Sequence, residues 1–333
     1  MITPSLLPAQ QDCWKNALAN AISDPAVLLE RLALPRSLLP AARVAAAAFP
    51  LRVTEHYLGL IEKGNPEDPL LRQVLPLAAE LQAVPGFVTD PVGDSAAQQA
   101  PGVLQKYHGR ALLITTGACA IHCRYCFRRN FPYAQQSAAR HWEQLPERLG
   151  ELPHLREVIL SGGDPLTLSD EKLDKLVRRL SAVPGLQRLR LHSRTPSVLP
   201  SRITPQLVDL LRETPLVTTL VLHCNHAREL AAPLDKGLET LRQAGVTLLN
   251  QAVLLRGVND SLSALQDLSE RLFEFGVLPY YLHALDPVQG AAHFNVPDRE
   301  ASHLHQQLQQ RLPGYLVPRL VREIPGEACK TPL

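Results

Sequence analysis

The chain has 333 residues, enough for about two domains, and its 34 Lys and Arg nearly balance 32 Asp and Glu. A formal charge of +2, with no block of like charge, gives no footing for nucleic acid or an anionic membrane as an obligatory partner. The N-terminal stretch lacks the basic and apolar regions of a signal peptide, and no apolar run approaches the ~18 residues that span a bilayer. A cytoplasmic protein with reduced thiols is the expectation.

Residues 1–95 read as an N-terminal helical domain with no strand pattern. Asp24-Pro25 opens AVLLERLAL, with Asp24 as N-cap and Pro25 at the first helical position. The Ala-rich AARVAAAAF follows, its run Ala45 to Ala48 suited to close helix packing. TEHYLGLIEKG comes next and is closed by Gly64 as C-cap. Asp68-Pro69 restarts a helix through LLRQVLPLAAEL. Residues 85–102 are rich in Pro and Gly without periodicity, a linker or a wrapping loop.

From about residue 103 the pattern alternates. RALLITT, EVILSGG, LQRLRLHSR, VTTLVLHCN, GVTLLNQAVLL and VLPYYLHAL read as strands. Amphipathic stretches stand between them, including SDEKLDKLVRRLSAV, TPQLVDLLRET, LDKGLETLRQAG and SLSALQDLSERLFEFG. About six such units imply a parallel sheet with helices outside, fewer than the eight that close a barrel. The expected fold is α/β: a partial (β/α)6 barrel over 96–320 behind the helical domain, and a C-terminal segment at 321–333. Polar residues collect at the C-terminal ends of the strands, the face where barrel enzymes keep their chemistry.

The densest of these clusters is Cys119, Cys123 and Cys126, three of the six cysteines within eight residues. Three thiolates at this spacing can wrap one metal centre. A structural zinc with His122 or a distant histidine as fourth ligand is one reading. An iron–sulfur cluster with one iron left open is the other. Gly162-Gly163, after the second strand, lets backbone approach a ligand closely and aims amides at it. Lys330, on a Pro/Gly-rich tail, is either a solvated charge or a Schiff-base lysine. Lys106, Tyr107 and Arg110 offer cations and a hydroxyl suited to a phosphate.

KYHGRALLITTGACAIHCRYCFRRNFPY, LSGGDPL, HSRTPSVLP, NQAVLLRGVND and PYYLHALDPVQGAAHF together resemble the lysine 2,3-aminomutase family. These are radical S-adenosylmethionine enzymes that also use pyridoxal 5'-phosphate, and the resemblance runs from about residue 62 to the end. The KYH and FRRNFPY variants resemble most the bacterial subgroup that makes (R)-β-lysine for elongation factor P. The resemblance implies a radical-SAM barrel in which Cys119, Cys123 and Cys126 hold a [4Fe-4S] cluster whose open iron binds S-adenosyl-L-methionine. Gly162, Gly163 and Gln251 would contact that cofactor. Lys330 would bind pyridoxal phosphate, with Lys106, Tyr107 and Arg110 on its phosphate. Arg128 would grip the carboxylate of L-lysine, and Asp286 and Glu323 its distal ammonium. A 5'-deoxyadenosyl radical would then abstract the C3 hydrogen while the amino group moves from C2 to C3. Implied partners are a ligase of the elongation factor P pathway and an electron donor such as flavodoxin.

Three departures stand out. Glu323 replaces an Asp of the longer members, and Gly326-Glu-Ala-Cys329 replaces their glycine-rich loop. Ser261 stands where they carry a zinc-ligand Cys, so no structural zinc is expected. Two rival readings stay open: a radical enzyme acting on another amino acid, on protein-bound lysine or on another protein, and a zinc-stabilised binding module.

Overall fold

A computed structural model describes residues 13–136 and 142–333. They form one ten-stranded sheet whose strands are neighbours in chain order. The strands are β1 (Gln98–Ala100), β2 (Val103–Tyr107), β3 (Arg110–Thr116), β4 (Glu157–Gly162), β5 (Arg188–Ser193), β6 (Val217–Leu222), β7 (Thr247–Val253), β8 (Leu278–His283), β9 (Arg319–Arg322) and β10 (Thr331–Pro332). From β3 to β9 every pairing is parallel. Antiparallel pairs close each flank, β1 and β2 before β3, and β10 after β9. The outermost strands do not pair with each other, so the sheet stays an open, partial barrel.

All six expected strands are present as β3 to β8. β4 is buried at every residue, as a continuous EVILSG run in a covered parallel sheet should be. Its crossover helices begin where side-chain oxygens cap them. Ser169, Thr204 and Ser261 accept hydrogen bonds from the backbone amides of Lys172, Leu207 and Ala264. Ser261 is thus occupied as the cap of Leu262–Glu274.

Several expectations are corrected. β9, not among the expected strands, is a further parallel strand and spans the expected boundary at 320–321. The helix Asp298–Arg311 was not anticipated. Its buried face is only Ala301, Leu304 and Leu308, a stripe too thin to stand out in a polar sequence. Asp24 does cap Pro25–Arg31, but Gly64 caps nothing: the helix Glu55–Leu60 ends earlier. Gly64 instead turns at φ 76° and donates its N–H to Leu32 O at 2.7 Å. The helix after Asp68 spans only Pro69–Arg72, because Pro76 forbids continuation, and a 3-10 turn at Ala78–Leu81 follows. Within Ala45 to Ala48 only Ala45 is buried. No helix among the described residues is long and apolar enough to cross a membrane.

The N-terminal helices pack against the cysteine loop. Trp14, Leu28, Tyr57, Leu70 and Leu71 share an apolar cluster with Ala120 and Ile121 of that loop and with Val198 and Leu199 beyond β5. Backbone bonds fix the loop as well, from His122 N to Arg52 O (3.0 Å) and from Arg124 N to Gln73 O (2.9 Å). Arg124 is fully buried and donates to both oxygens of Glu80 (2.9 and 2.6 Å). Arg129 reaches the same carboxylate at 2.8 Å.

The other side of the loop rests on Gly162-Gly163. Gly163 N donates to Thr116 O at 2.7 Å and Asp164 N to Ala118 O at 2.8 Å. These two amides therefore hold the cysteine loop instead of pointing at a ligand. A Cβ on Gly163 would meet the Gly117 carbonyl carbon at 2.8 Å and overlap the Ala118 oxygen.

Three stability predictions follow. Glu80→Ala leaves two guanidiniums buried without a counter-charge and should cost about 3–5 kcal/mol in chemical denaturation. Gly163→Ala should lower the melting temperature and the iron content after reconstitution, since backbone must shift by overpacking worth about 1–3 kcal/mol. Gly59→Ala, in a helix with nothing within 4 Å of the new carbon, should be neutral or stabilising by about 0.5–1 kcal/mol.

Candidate active site

The curled sheet encloses a cavity of about 490 Å³ at the C-terminal ends of its strands, and every site residue that the resemblance implies lines it, while His122 turns away to the Pro50 carbonyl at 2.9 Å. Cys119, Cys123 and Cys126 form one wall. Burial, then the neighbouring Cys126, pushes the Cys119 thiol up, and burial with Cys123 pushes Cys126 up to about 11. Thiols crowded this way resist ionising together unless a metal takes up their charge. Arg194 touches one of them directly: its Nη1 donates to Cys123 Sγ at 3.0 Å and also to the Tyr125 hydroxyl. Its Nη2 is held by Gln73 Oε1 (2.8 Å) and Glu229 Oε2 (3.0 Å). Among the described residues, no three His, Cys, Asp or Glu side chains converge as ligands of a single ion. The trio fits a multi-iron cluster with one iron per thiolate better than a one-ion site.

A chain of alternating charge begins at Arg128, beside Cys126, and runs away from the cysteines. Arg128 Nε donates to Asp94 Oδ2 at 2.6 Å, and Asp94 Oδ1 meets Lys106 Nζ at 2.7 Å. Lys106 continues to Glu323 Oε1 at 2.8 Å, and Glu323 Oε2 holds Lys330 Nζ at 2.7 Å. Burial works to raise both carboxyls, but two flanking cations apiece bring Asp94 and Glu323 down to about 2. Glu323, expected to face a substrate ammonium, is thus held by the chain's own lysines here. Lys106, expected on a phosphate, also donates to Val92 O at 2.8 Å.

Asp286 is different. Burial and the charge of Glu323 push its carboxyl up to about 7 against Lys330 and Lys106, and its buried Oδ1 has no hydrogen-bond partner. An uncompensated carboxylate in this position fits a missing cation. Arg110, whose guanidinium lies 4.8 Å over the Tyr107 ring, has a buried Nε without a partner. That orphaned donor beside Tyr107, facing the same cavity as Lys330, fits the phosphate of pyridoxal phosphate. Gln251 Nε2 is 3.0 Å from His223 Nε2, and the Gly162 carbonyl accepts from the Tyr133 hydroxyl at 2.9 Å.

Asp94 was missed by sequence reading. It sits in the Pro/Gly-rich stretch taken as a linker, where no periodicity marks a buried side chain. Asp164 directly follows the glycine pair. It accepts from Ser193 Oγ (2.7 Å) and from the amides of Arg194 (2.8 Å) and Thr195 (2.9 Å), and so positions Arg194 against the cysteines.

Residues 113–268 match the Radical SAM superfamily. The chain is 49% identical to the L-lysine 2,3-aminomutase of Escherichia coli over 98% of this chain and 95% of that one. It is 45% identical to the L-lysine 2,3-aminomutase of Haemophilus influenzae over 97% and 96% of the two chains. The enzyme of that name from Clostridium subterminale is 34% identical over 96% of this chain but 77% of its own length. Identity of this order across the whole cavity-forming chain is decisive: it belongs to the L-lysine 2,3-aminomutase family of radical S-adenosylmethionine isomerases, which use a [4Fe-4S] cluster, S-adenosylmethionine and pyridoxal phosphate.

Proposed function

We propose that the chain converts free L-lysine to (R)-β-lysine in the cytoplasm, drawing electrons from a flavodoxin-like donor and supplying a ligase that modifies elongation factor P. The observation that carries this reading is the unpartnered carboxylate of Asp286 in the same cavity as Arg128, the cysteine trio and Lys330. A chain with a carboxylate at one end and an ammonium at the other matches that pair of opposite charges. The whole-length similarity to the short enterobacterial relative supports it as well.

In this reading Cys119, Cys123 and Cys126 hold the cluster, and Gln251 with the Gly162-Gly163 turn borders S-adenosylmethionine. Lys330 binds pyridoxal phosphate, with Arg110, Tyr107 and Lys106 on the phosphate side. When bound, these cofactors supply a hydrogen-abstracting radical and a π system through which nitrogen can pass to the next carbon. The chain's own residues do the positioning. Arg128, aligned by Asp94 and Ser161, grips the substrate carboxylate as a fork. Asp286 receives the distal ammonium, with Glu323 beside it once Lys330 is engaged elsewhere. Fixing both ends holds C3 at one place in the cavity. Walls that include Val92 and Asp94 of the 85–97 stretch keep water from the radical.

The reading is tested by an anaerobic assay with reconstituted protein, pyridoxal phosphate, S-adenosylmethionine, a strong reductant and L-lysine. β-Lysine should appear only with every component present. Formation of 5'-deoxyadenosine without β-lysine would move the substrate to protein-bound lysine or another amino acid. Asp286→Asn should abolish lysine turnover, by roughly 100-fold or more for a buried charge partner lost, while slow S-adenosylmethionine cleavage persists. Unchanged turnover would refute the assignment.

The Asp286 carboxyl also sets a pH dependence. It faces Glu323, Lys330, Lys106 and Asp94, and below about 7 it is neutral and cannot pair with an ammonium. kcat/KM for lysine should therefore rise through about pH 7 to a plateau, falling about tenfold per unit on the acid side. A flat profile between pH 6 and 8 would show that another group binds the ammonium.

A further inference from the structure

Two imidazoles inside the barrel are unused by the chemistry above. His192 lies on β5 and His283 ends β8, and both line the cavity. The Nε2 atoms of both are buried without a partner, and neither ring makes a hydrogen bond within the described chain. Buried ring nitrogens are nearly always satisfied, so two orphans on one cavity point to a ligand that supplies their partners.

Their neighbours indicate which ligand. His283 packs edge-on against Tyr281 at 5.5 Å, and Lys330 Nζ lies 5.7 Å from that same ring. β8 and β9 set His283 opposite Val321, two residues before the Glu323 that holds Lys330. His192 packs edge-on against His223 at 5.6 Å, and Arg190 on the same strand also lines the cavity. His283 therefore belongs to the wall around Lys330, and His192 lines the same cavity beside His223 and Arg190. Burial, then His223 and Arg190 for His192 and Lys330 for His283, keeps both below the usual histidine range and so neutral. A neutral imidazole can donate or accept a hydrogen bond without transferring a proton.

We propose that His192 and His283 bind the ring of pyridoxal phosphate through its polar atoms, the pyridine nitrogen and the 3-oxygen, while Arg110 and Tyr107 take the phosphate. This deepens the reading given above and rests on it.

The test uses cluster-reconstituted protein titrated with pyridoxal phosphate, following binding by equilibrium dialysis and the absorbance of the bound cofactor. Leucine at either position should weaken binding at least about tenfold, as for one or two lost hydrogen bonds in a buried site. His192→Gln and His283→Gln should retain affinity within about threefold, because an amide restores one bond. Iron content should match wild type throughout. Leucine variants that bind with wild-type affinity and unchanged absorbance would overturn the proposal. If leucine prevents folding, the glutamine variants decide: altered absorbance at full iron content supports the assignment, and an unaltered spectrum overturns it. A wild-type protein that binds no pyridoxal phosphate would instead defeat the functional reading itself.

Discussion

The carboxylate of Glu80 ties Arg124 and Arg129 together on either side of Cys126, with almost no water near any of the three. A pair of guanidiniums at that depth is tolerable only while the carboxylate is present. The loop that carries the cysteines is short and has no regular structure of its own, so its shape comes from what grips it. Glu80 and the carbonyls of Phe49, Pro50, Arg52 and Gln73 hold it from the N-terminal side. The glycine pair of β4 holds it from the barrel side. The helical segment therefore shapes the cysteine loop, although it contributes none of the three cysteines.

The second half of the cavity is built on alternation of charge. Asp94 and Glu323 each stand between two cations, which keeps them ionised in spite of burial. Asp286 lies outside this pattern, and the same burial makes its charge costly. Equal side-chain chemistry thus gives two structural carboxylates and one receptive carboxylate within one cavity. Lys330 occupies one oxygen of Glu323, so a second acidic contact opens only once Lys330 is engaged elsewhere.

Much of this was legible in the sequence because it depends on local pattern. Six apolar runs became β3 to β8, and three cysteines on one loop stayed together simply by proximity in the chain. Cap residues such as Asp24, Ser169 and Thr204 mark helix starts with one side chain, and they were readable or could have been. What escaped depends on distant partners. Asp94 matters through Arg128 and Lys106, and nothing in its own neighbourhood marks it as buried. The amides after β4 looked like ligand donors until the cysteine loop was seen to occupy them. β9 is four residues long and is a strand only because β8 lies beside it. The helix Asp298–Arg311 buries one residue per turn, too little for periodicity to register.

The position of Lys330 has a consequence for how the site comes together. It immediately precedes β10, a two-residue strand that pairs only with β9 at the margin of the sheet. The groups that grip the cysteine loop, from Trp14 to Phe294, belong to the packed body. Margins of sheets open with little free energy, whereas central strands open only with the whole domain. The two halves of the cavity therefore differ in local stability. The thiol wall is as durable as the fold, and the lysine wall can fray and close again without disturbing it, giving a bulky cofactor a way in.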